Sequence, residues 1–374
     1  MEPGYRICTR CVMDTSDPHI VFDDTGVCNH CKGAEERLRR TLLPATERKQ
    51  AFDALVARIK AAGQGHDYDC LIGVSGGVDS SYVAWLVKEA GLRPLAVHFD
   101  NGWNSELAVD NIKNLLDRLD IELYTHVVDW EEFRDLQLSF LRGGLVNCEA
   151  PTDHAINSLM LKTAHQFGLR SILSGSNVVT EAIMPRAWSH YNQDLKLLKA
   201  VHRKWGTQPL ATTPTMGLAH YAYLVLVRKI RQIPLLNLVE YDKDAAKQFM
   251  IDEMGWRDYG GKHYESVWTR FFQGYYLVEK FGYDKRRSHL SSMIVSGLTT
   301  REAALAELEK PPYRADLLEQ DLDFVCKKFG LTRQEWQEIM DRPRTEAWDL
   351  PNNLFWFQTL GRYKNLFRKI ATRH

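Results

Sequence analysis

Asp69-Cys70-Leu71-Ile72-Gly73-Val74-Ser75-Gly76-Gly77-Val78-Asp79-Ser80 is the stretch whose reading decides the fold. Its first half is a short apolar run, the mark of a strand buried on both faces of a parallel sheet. After Asp79 the apolar positions Val83, Leu86, Val87 and Ala90 return at helical spacing. Strand, glycine turn and helix therefore follow one another without a break. Gly76 and Gly77 allow a sharp bend with no Cβ in the way, so successive N–H groups and a helix N-terminus converge on one anion. Ser75 and Ser80 add hydroxyl donors. The loop has neither the lysine and spacing of a Walker A motif nor the G-x-G-x-x-G of a dinucleotide fold.

The alternation continues outward from this loop. Strands are expected at 94–99, 122–128, 171–175 and 234–239, and helices at 106–119, 130–141, 153–167, 221–230 and 242–254. Strands alternating with helices predict an α/β fold, a doubly wound parallel sheet that gathers ligands at the carboxyl ends of its strands. Those ends carry Phe99, Asp100 and Asn101 after the second strand and Gly175 and Ser176 after the fourth. Between the third and fourth strands lies Glu149-Ala150-Pro151-Thr152-Asp153-His154, where Thr152 or Asp153 reads as the cap of the helix opening there or, alternatively, as a catalytic residue. The segment 178–214 shows no clean periodicity and offers room to recognise a second substrate.

Upstream, four of the seven cysteines fall in two C-x-x-C pairs, Cys8/Cys11 and Cys28/Cys31. Two tight turns that each aim two sulfurs at one point suit a tetrahedral metal site, with structural Zn²⁺ favoured over an iron–sulfur cluster or two disulfides. A short hairpin turned by Asp24-Thr25-Gly26 is expected between the pairs, and His30 flanks the metal. So small a module has almost no core of its own, and metal binding supplies its folding free energy. Residues 34–62 read as two linking helices interrupted by Pro44.

Downstream, the block 256–266 joins cations, the pair Gly260-Gly261 and aromatics in one loop that leads into a helix, and Lys285-Arg286-Arg287 makes a second cationic cluster. Such groups are what a phosphate site without a Walker lysine needs. Phe271, Phe272, Tyr275 and Tyr276 read as core. Cys148 has no base or second thiol beside it and reads as an inert buried cysteine.

Composition sets the outer bounds. A chain of 374 residues with 44% hydrophobic and 26% charged residues is globular and long enough for two or three units. The 48 Lys+Arg balance 48 Asp+Glu, which weighs against nucleic acid as a partner. The most apolar run, 221–227, meets Arg228, Lys229 and Arg231, so no membrane span is expected. Met1–Arg10 has no apolar signal region, and the expected address is cytoplasmic. The units are expected at 1–33 (zinc knuckle), 34–64 (linking helices), 65–240 (the α/β domain that carries the Ser75–Ser80 loop) and 241–374 (helical, substrate-facing region).

The hexapeptide Ser75–Ser80 resembles the SGGxDS signature of the PP-loop, or N-type, ATP pyrophosphatases, which cleave ATP between the α- and β-phosphates. That resemblance implies that Ser75, Gly76, Gly77, Asp79 and Ser80 surround pyrophosphate, that Asp79 helps to hold Mg²⁺, and that Phe99, Asp100 and Asn101 contact adenine or ribose. Taken together with the Cys₄ knuckle, the segment Glu149–His154 and the block Tyr259–Ser266, the loop gives a chain that resembles the N-acetyl sugar amidotransferase family over nearly its full length. Members convert an acetamido group on a nucleotide-activated sugar into an acetamidino group in bacterial O-antigen and nonulosonic-acid synthesis. The resemblance implies attack of the amide oxygen on the ATP α-phosphate and displacement of AMP by ammonia. Asp79, Lys262, His263, Glu265, Lys285 and Arg286 are the candidates for that chemistry. No glutaminase constellation is evident in the chain. The resemblance therefore implies a separate glutaminase subunit like that of imidazole-glycerol-phosphate synthase, with a cyclase-like scaffold between the two. The rival readings are a tRNA thiolation enzyme of the PP-loop type and a scaffold that binds ATP without turnover.

Overall fold

The computed structural model describes residues 4–189, 192–261 and 264–357. Two linking helices, α1 (Asn29–Thr41) and α2 (Ala45–Ala62), lead into the sheet. Then β1 (Cys70–Gly73), α3 (Val78–Glu89), β2 (Pro94–Asp100), α4 (Glu106–Leu119) and β3 (Glu122–Val127) alternate. After α5 (Trp130–Arg142) and α6 (Ala150–Gln166) come β4 (Ser171–Ser174), α7 (Val178–Glu181), α8 (Leu195–Trp205), α9 (Leu218–Ala222) and β5 (Arg231–Pro234). The rest is helical: α10 (Lys243–Met254), α11 (Val267–Phe271), α12 (Leu277–Phe281), α13 (Lys285–Val295), α14 (Arg301–Glu309), α15 (Ala315–Phe329) and α16 (Arg333–Asp341).

All five strands pair in parallel in the order β3-β2-β1-β4-β5. The chain winds outward from β1 to β3, then returns to lay β4 on the other side of β1. The crevice between the carboxyl ends of β1 and β4 is thus the switch point where doubly wound sheets bind ligands. Alternation along the strands fills both faces. Cys70, Ile72 and Ala96 pack with Ile59, Val83, Val87, Ile112, Leu116 and Met250. Leu71, Val97 and Phe99 pack on the opposite face with Phe133, Ala155, Leu159 and Leu224.

A third core lies off the sheet. It joins the four N-terminal cysteines to Trp188, Phe272, Tyr276, Phe329 and Trp336 of the later helices. Phe271, Phe272 and Tyr276 are fully buried and Tyr275 packs against them, as expected of core aromatics.

Four local expectations are corrected. The fifth strand ends at Pro234 instead of starting there, because β4 stops at Ser174 and offers no ladder beyond it. Leu235 and Leu236 are buried in a 3₁₀ turn instead. Helix α6 starts at Ala150, with Pro151 in its first turn, so Thr152 and Asp153 stand inside the helix and neither is its cap. The segment 178–214 contains α8, capped by Asp194 and burying Leu197, Leu198 and Val201. The N-terminal hairpin shrinks to one antiparallel bridge, Phe22↔Cys28, around a tight turn at Asp23 and Gly26. Among the described residues no helix is long and apolar enough to cross a membrane.

Candidate functional site

The loop after β1 is shaped before any ligand arrives. Gly76 has φ +81°, and a Cβ there would stand 2.6 Å from the Ala108 carbonyl oxygen, so both conformation and space demand glycine. The Ser80 hydroxyl donates to the Gly77 carbonyl at 3.1 Å and accepts from the Ser75 amide at 3.3 Å. Ser75 Oγ lies 3.2 Å from Ser80 Oγ and accepts from the Gly77 amide at 3.3 Å. Exposed Ser75 and half-buried Asp79 and Ser80 line the start of α3. Gly175, at the end of β4, touches the same turn: a Cβ on it would lie 2.9 Å from the Asp79 carbonyl. Gly175 and the Ser75–Ser80 loop therefore meet at the switch point, with exposed Ser176 beside them.

A distant stretch covers the loop. Trp256 Nε1 donates to the Gly76 carbonyl at 2.8 Å. Asn111 of α4, fully buried, exchanges two hydrogen bonds with the Arg257 backbone. The other end of the stretch is tied by the Asn104↔Ser266 bridge and by the Ser105 amide, which donates to the Glu265 carbonyl at 2.9 Å. A methyl group on Gly77 would sit 3.4 Å from the Tyr259 hydroxyl and 3.9 Å from Glu265 Oε1. Burial, then the nearby Glu265 and Asp79 charges, push the Tyr259 hydroxyl well above its usual range. Glu265 is thus brought beside Gly77 of the Ser75–Ser80 loop, while Lys262 and His263 lie outside the described residues.

Sequence reasoning missed two partners of Asp79. The Tyr241 hydroxyl donates to Asp79 Oδ1, and Lys243 Nζ stands 3.4 Å from Asp79 Oδ2. Both flank the start of α10, which packs on α3. The signal in the sequence was weak, a tyrosine and a lysine around the helix cap Asp242, and only the fold carries them to the loop.

The segment after β2 builds a turn. Asp100 Oδ1 accepts from the Gly102 amide at 2.9 Å and Asn101 Oδ1 from the Trp103 amide at 3.2 Å. Asn101 Nδ2 reaches Thr152 Oγ1 at 3.4 Å, linking this loop to the start of α6. The Phe99 ring is buried between His126 and Phe133 in the core below the site.

A second polar cluster opens at the start of α6. Asn192 Nδ2 donates to Asp153 Oδ2 at 2.6 Å, and Gln273 Nε2 to Glu149 Oε2 at 3.1 Å. Burial and then the Glu149 charge raise the Asp153 carboxyl above the usual carboxylate range, against the Lys285 charge. Lys285 is therefore placed with Asp153. Arg286 is turned elsewhere: it pairs with Asp284 at 2.7 Å and donates to the carbonyls of Glu307 and Lys310. Cys148 is fully buried, and burial pushes its thiol up to about 12, which leaves it inert at neutral pH.

The four N-terminal sulfurs lie within 4.8 Å of one another, with neighbouring pairs at 3.7 to 3.8 Å. Four thiolates about 2.3 Å from one tetrahedral ion stand about 3.8 Å apart, whereas a disulfide needs about 2.05 Å. Backbone amides of Arg10, Cys11 and Cys28 point at Cys8 Sγ. Four fully buried sulfurs at that spacing fit a single closed metal site. His30 is engaged with Asp17 at 2.6 Å, clear of the sulfurs. The knuckle docks on α13 and α14. Arg287 pairs with Asp14 at 2.9 Å, and Arg301 donates to the carbonyls of Cys8 and Cys11.

Residues 265–364 match the family described as LPS biosynthesis protein WbpG-like, C-terminal domain. An uncharacterized protein of Methanocaldococcus jannaschii is 21% identical over 322 residues, 84% of this chain and 96% of that protein. A tRNA(Ile)-lysidine synthase of Thermus thermophilus is 30% identical over 114 residues, 30% of this chain and 21% of the synthase. Among solved structures, an NMN synthetase from Francisella tularensis aligns with TM-score 0.31 and 14% identity over 62% of this chain and 93% of its own. An NH3-dependent NAD synthetase from Campylobacter jejuni aligns with TM-score 0.29 and 14% identity, over 55% and 83%. The stretch similar to the WbpG-like C-terminal domain therefore follows, in one chain, a five-stranded parallel sheet and a four-cysteine knuckle.

Proposed function

We propose that this protein is an ATP-dependent, AMP-forming carbon–nitrogen ligase. It adenylylates the acetamido oxygen of a nucleotide-activated N-acetyl sugar and lets ammonia replace the adenylyl group, giving an acetamidino sugar. The observation that carries this reading is the phosphate loop at the β1/β4 switch point, covered by Trp256, Tyr259 and Glu265 at the threshold of the WbpG-like domain.

An amide carbonyl is a poor electrophile and its oxygen a poor leaving group, so the amide must be activated before ammonia can add. The amide oxygen attacks the α-phosphate, pyrophosphate leaves, and the amide carbon now carries AMP. The backbone N–H groups of Ser75–Ser80 and the N-terminus of α3 receive the negative charge that collects on pyrophosphate. Lys243, beside Asp79, supplies the cation that a loop without a Walker lysine lacks. Asp79 would be the residue to hold Mg²⁺, exchanging Tyr241 or Lys243 for it, and the ion would neutralise phosphate charge. The covering segment excludes water from an intermediate that would otherwise hydrolyse. Cys8, Cys11, Cys28 and Cys31 would hold Zn²⁺ in a structural role, since four sulfurs would leave no open position for chemistry.

With Cys148 inert, ammonia comes from a separate glutaminase subunit, on a cyclase-like scaffold if one is present. The test mixes the protein with ATP, Mg²⁺, ammonium chloride and a panel of nucleotide-linked N-acetyl sugars and follows products by mass spectrometry. AMP, pyrophosphate and a sugar with oxygen exchanged for NH are expected. Release of ADP, or no exchange on any sugar, refutes the reading.

A further inference from the structure

Resting on that ligase reading, we infer that Asp153 is the general base of the ligation step, set in a subsite for the nitrogen nucleophile at the start of α6. The position follows from topology. Helix α6 runs directly into β4 of a parallel sheet, so its first turn lies at the carboxyl edge where the phosphate loop and Gly175 also stand. Thr152, next in the chain to Asp153, is bonded to Asn101 of the loop after β2. The subsite therefore borders the switch point without being part of the phosphate grip.

Three further elements converge on Asp153. Asn192 donates to its carboxylate at 2.6 Å and is itself fixed twice, by Asn147 Nδ2 on its side chain at 2.8 Å and by His154 Nδ1 on its carbonyl at 2.8 Å. His154 Nε2 accepts from the Met216 amide at 3.1 Å, which sets the ring as the neutral tautomer with its proton on Nδ1. Glu149 stands one turn earlier, held by Gln273, and the charge of Lys285 on α13 acts on Asp153. Asp153, Glu149, Thr152, Gln273 and Lys285 are all half-buried, so the recess is polar and reachable. The two carboxylates favour a nitrogen that gains positive charge as it bonds, and the one that burial and Glu149 make more basic is suited to take a proton from it at that moment.

The step balances as follows. The nitrogen lone pair forms the new C–N bond to the adenylylated carbon. Asp153 takes one N–H proton from that nitrogen and returns it to the imidate nitrogen. The C–O bond then breaks, AMP leaves with the electron pair, and the product departs as an amidinium.

The experiment measures AMP and acetamidino product together for the wild type and Asp153→Asn, with ATP, Mg²⁺, ammonium chloride and a sugar that the wild type converts. The variant should still release AMP and pyrophosphate while product per AMP falls about 10²-fold or more, water consuming the stranded intermediate. Asp153→Glu should restore part of the coupling, and Asp153→Asn should lose the acid limb of the wild-type pH profile. An unchanged product-to-AMP ratio, or AMP and product falling in parallel, overturns the assignment. A wild type that makes AMP but no amidine with any sugar refutes the ligase reading itself, and this inference falls with it.

Discussion

The phosphate loop and the cysteine knuckle are both short, turn-rich segments with a chemical signature, yet they are stabilised in opposite ways. The loop hangs from a parallel sheet whose β1 pairs on both sides, and its hydroxyls and amides already bond one another. The knuckle has two isolated bridges and four buried sulfurs gathered within 4.8 Å of one another. The loop's side chains are therefore free to serve chemistry, whereas the knuckle's are committed to holding it folded.

Losing the metal should be the largest perturbation. Chelation or Cys11→Ser should cost on the order of 10 kcal/mol locally and unfold the knuckle. It should also loosen α13 and α14, because Ser291 and Arg301 lose their partners there. Circular dichroism and thermal unfolding read this directly, and an unchanged melting curve would erase the contrast. Asp79→Ala should do the reverse, cutting AMP release by about 10³-fold with little change in melting temperature. Gly76→Ala sharpens the comparison, since the methyl group collides with Ala108 and should damage both activity and stability. Lys243→Ala should lower AMP formation by about 10²-fold and leave the fold intact, as steady-state kinetics would show.

The smallest effect belongs to a third region, organised by an anion. Glu132 of α5 accepts from the backbone amides of Ala211, Thr212 and Thr213. Burial alone would raise its carboxyl, but these donors overrule burial and hold it at about 2. Because the folded value lies below the unfolded one, the stabilisation is complete above about pH 4.5 and lost as pH falls toward 2. Glu132→Gln should cost about 2 kcal/mol at neutral pH and flatten that acid limb in denaturant titrations.

The fold was legible wherever local pattern and tertiary role agreed. The strand, glycine turn and helix around Ser75 needed no long-range information, and neither did the two C-x-x-C pairs. The start of α6 was misread because Thr152 and Asp153 are also good caps, while Pro151, the residue that fits the first turn, lay just before them. Lys243 and Tyr241 were invisible because nothing local ties a residue after β5 to a loop after β1. Arg286 and Lys285 looked alike in sequence. Helix geometry then sends one to Asp284 and the end of α14 and the other toward Asp153.

The most direct test of the central claim uses a nucleotide-linked N-acetyl sugar labelled with ¹⁸O in the acetamido carbonyl. If the amide oxygen attacks the α-phosphate, turnover with ATP and ammonium must place the label in AMP, one atom for each amidine formed. Label recovered in water or in inorganic phosphate, with unlabelled AMP or with ADP as the nucleotide product, would contradict the account.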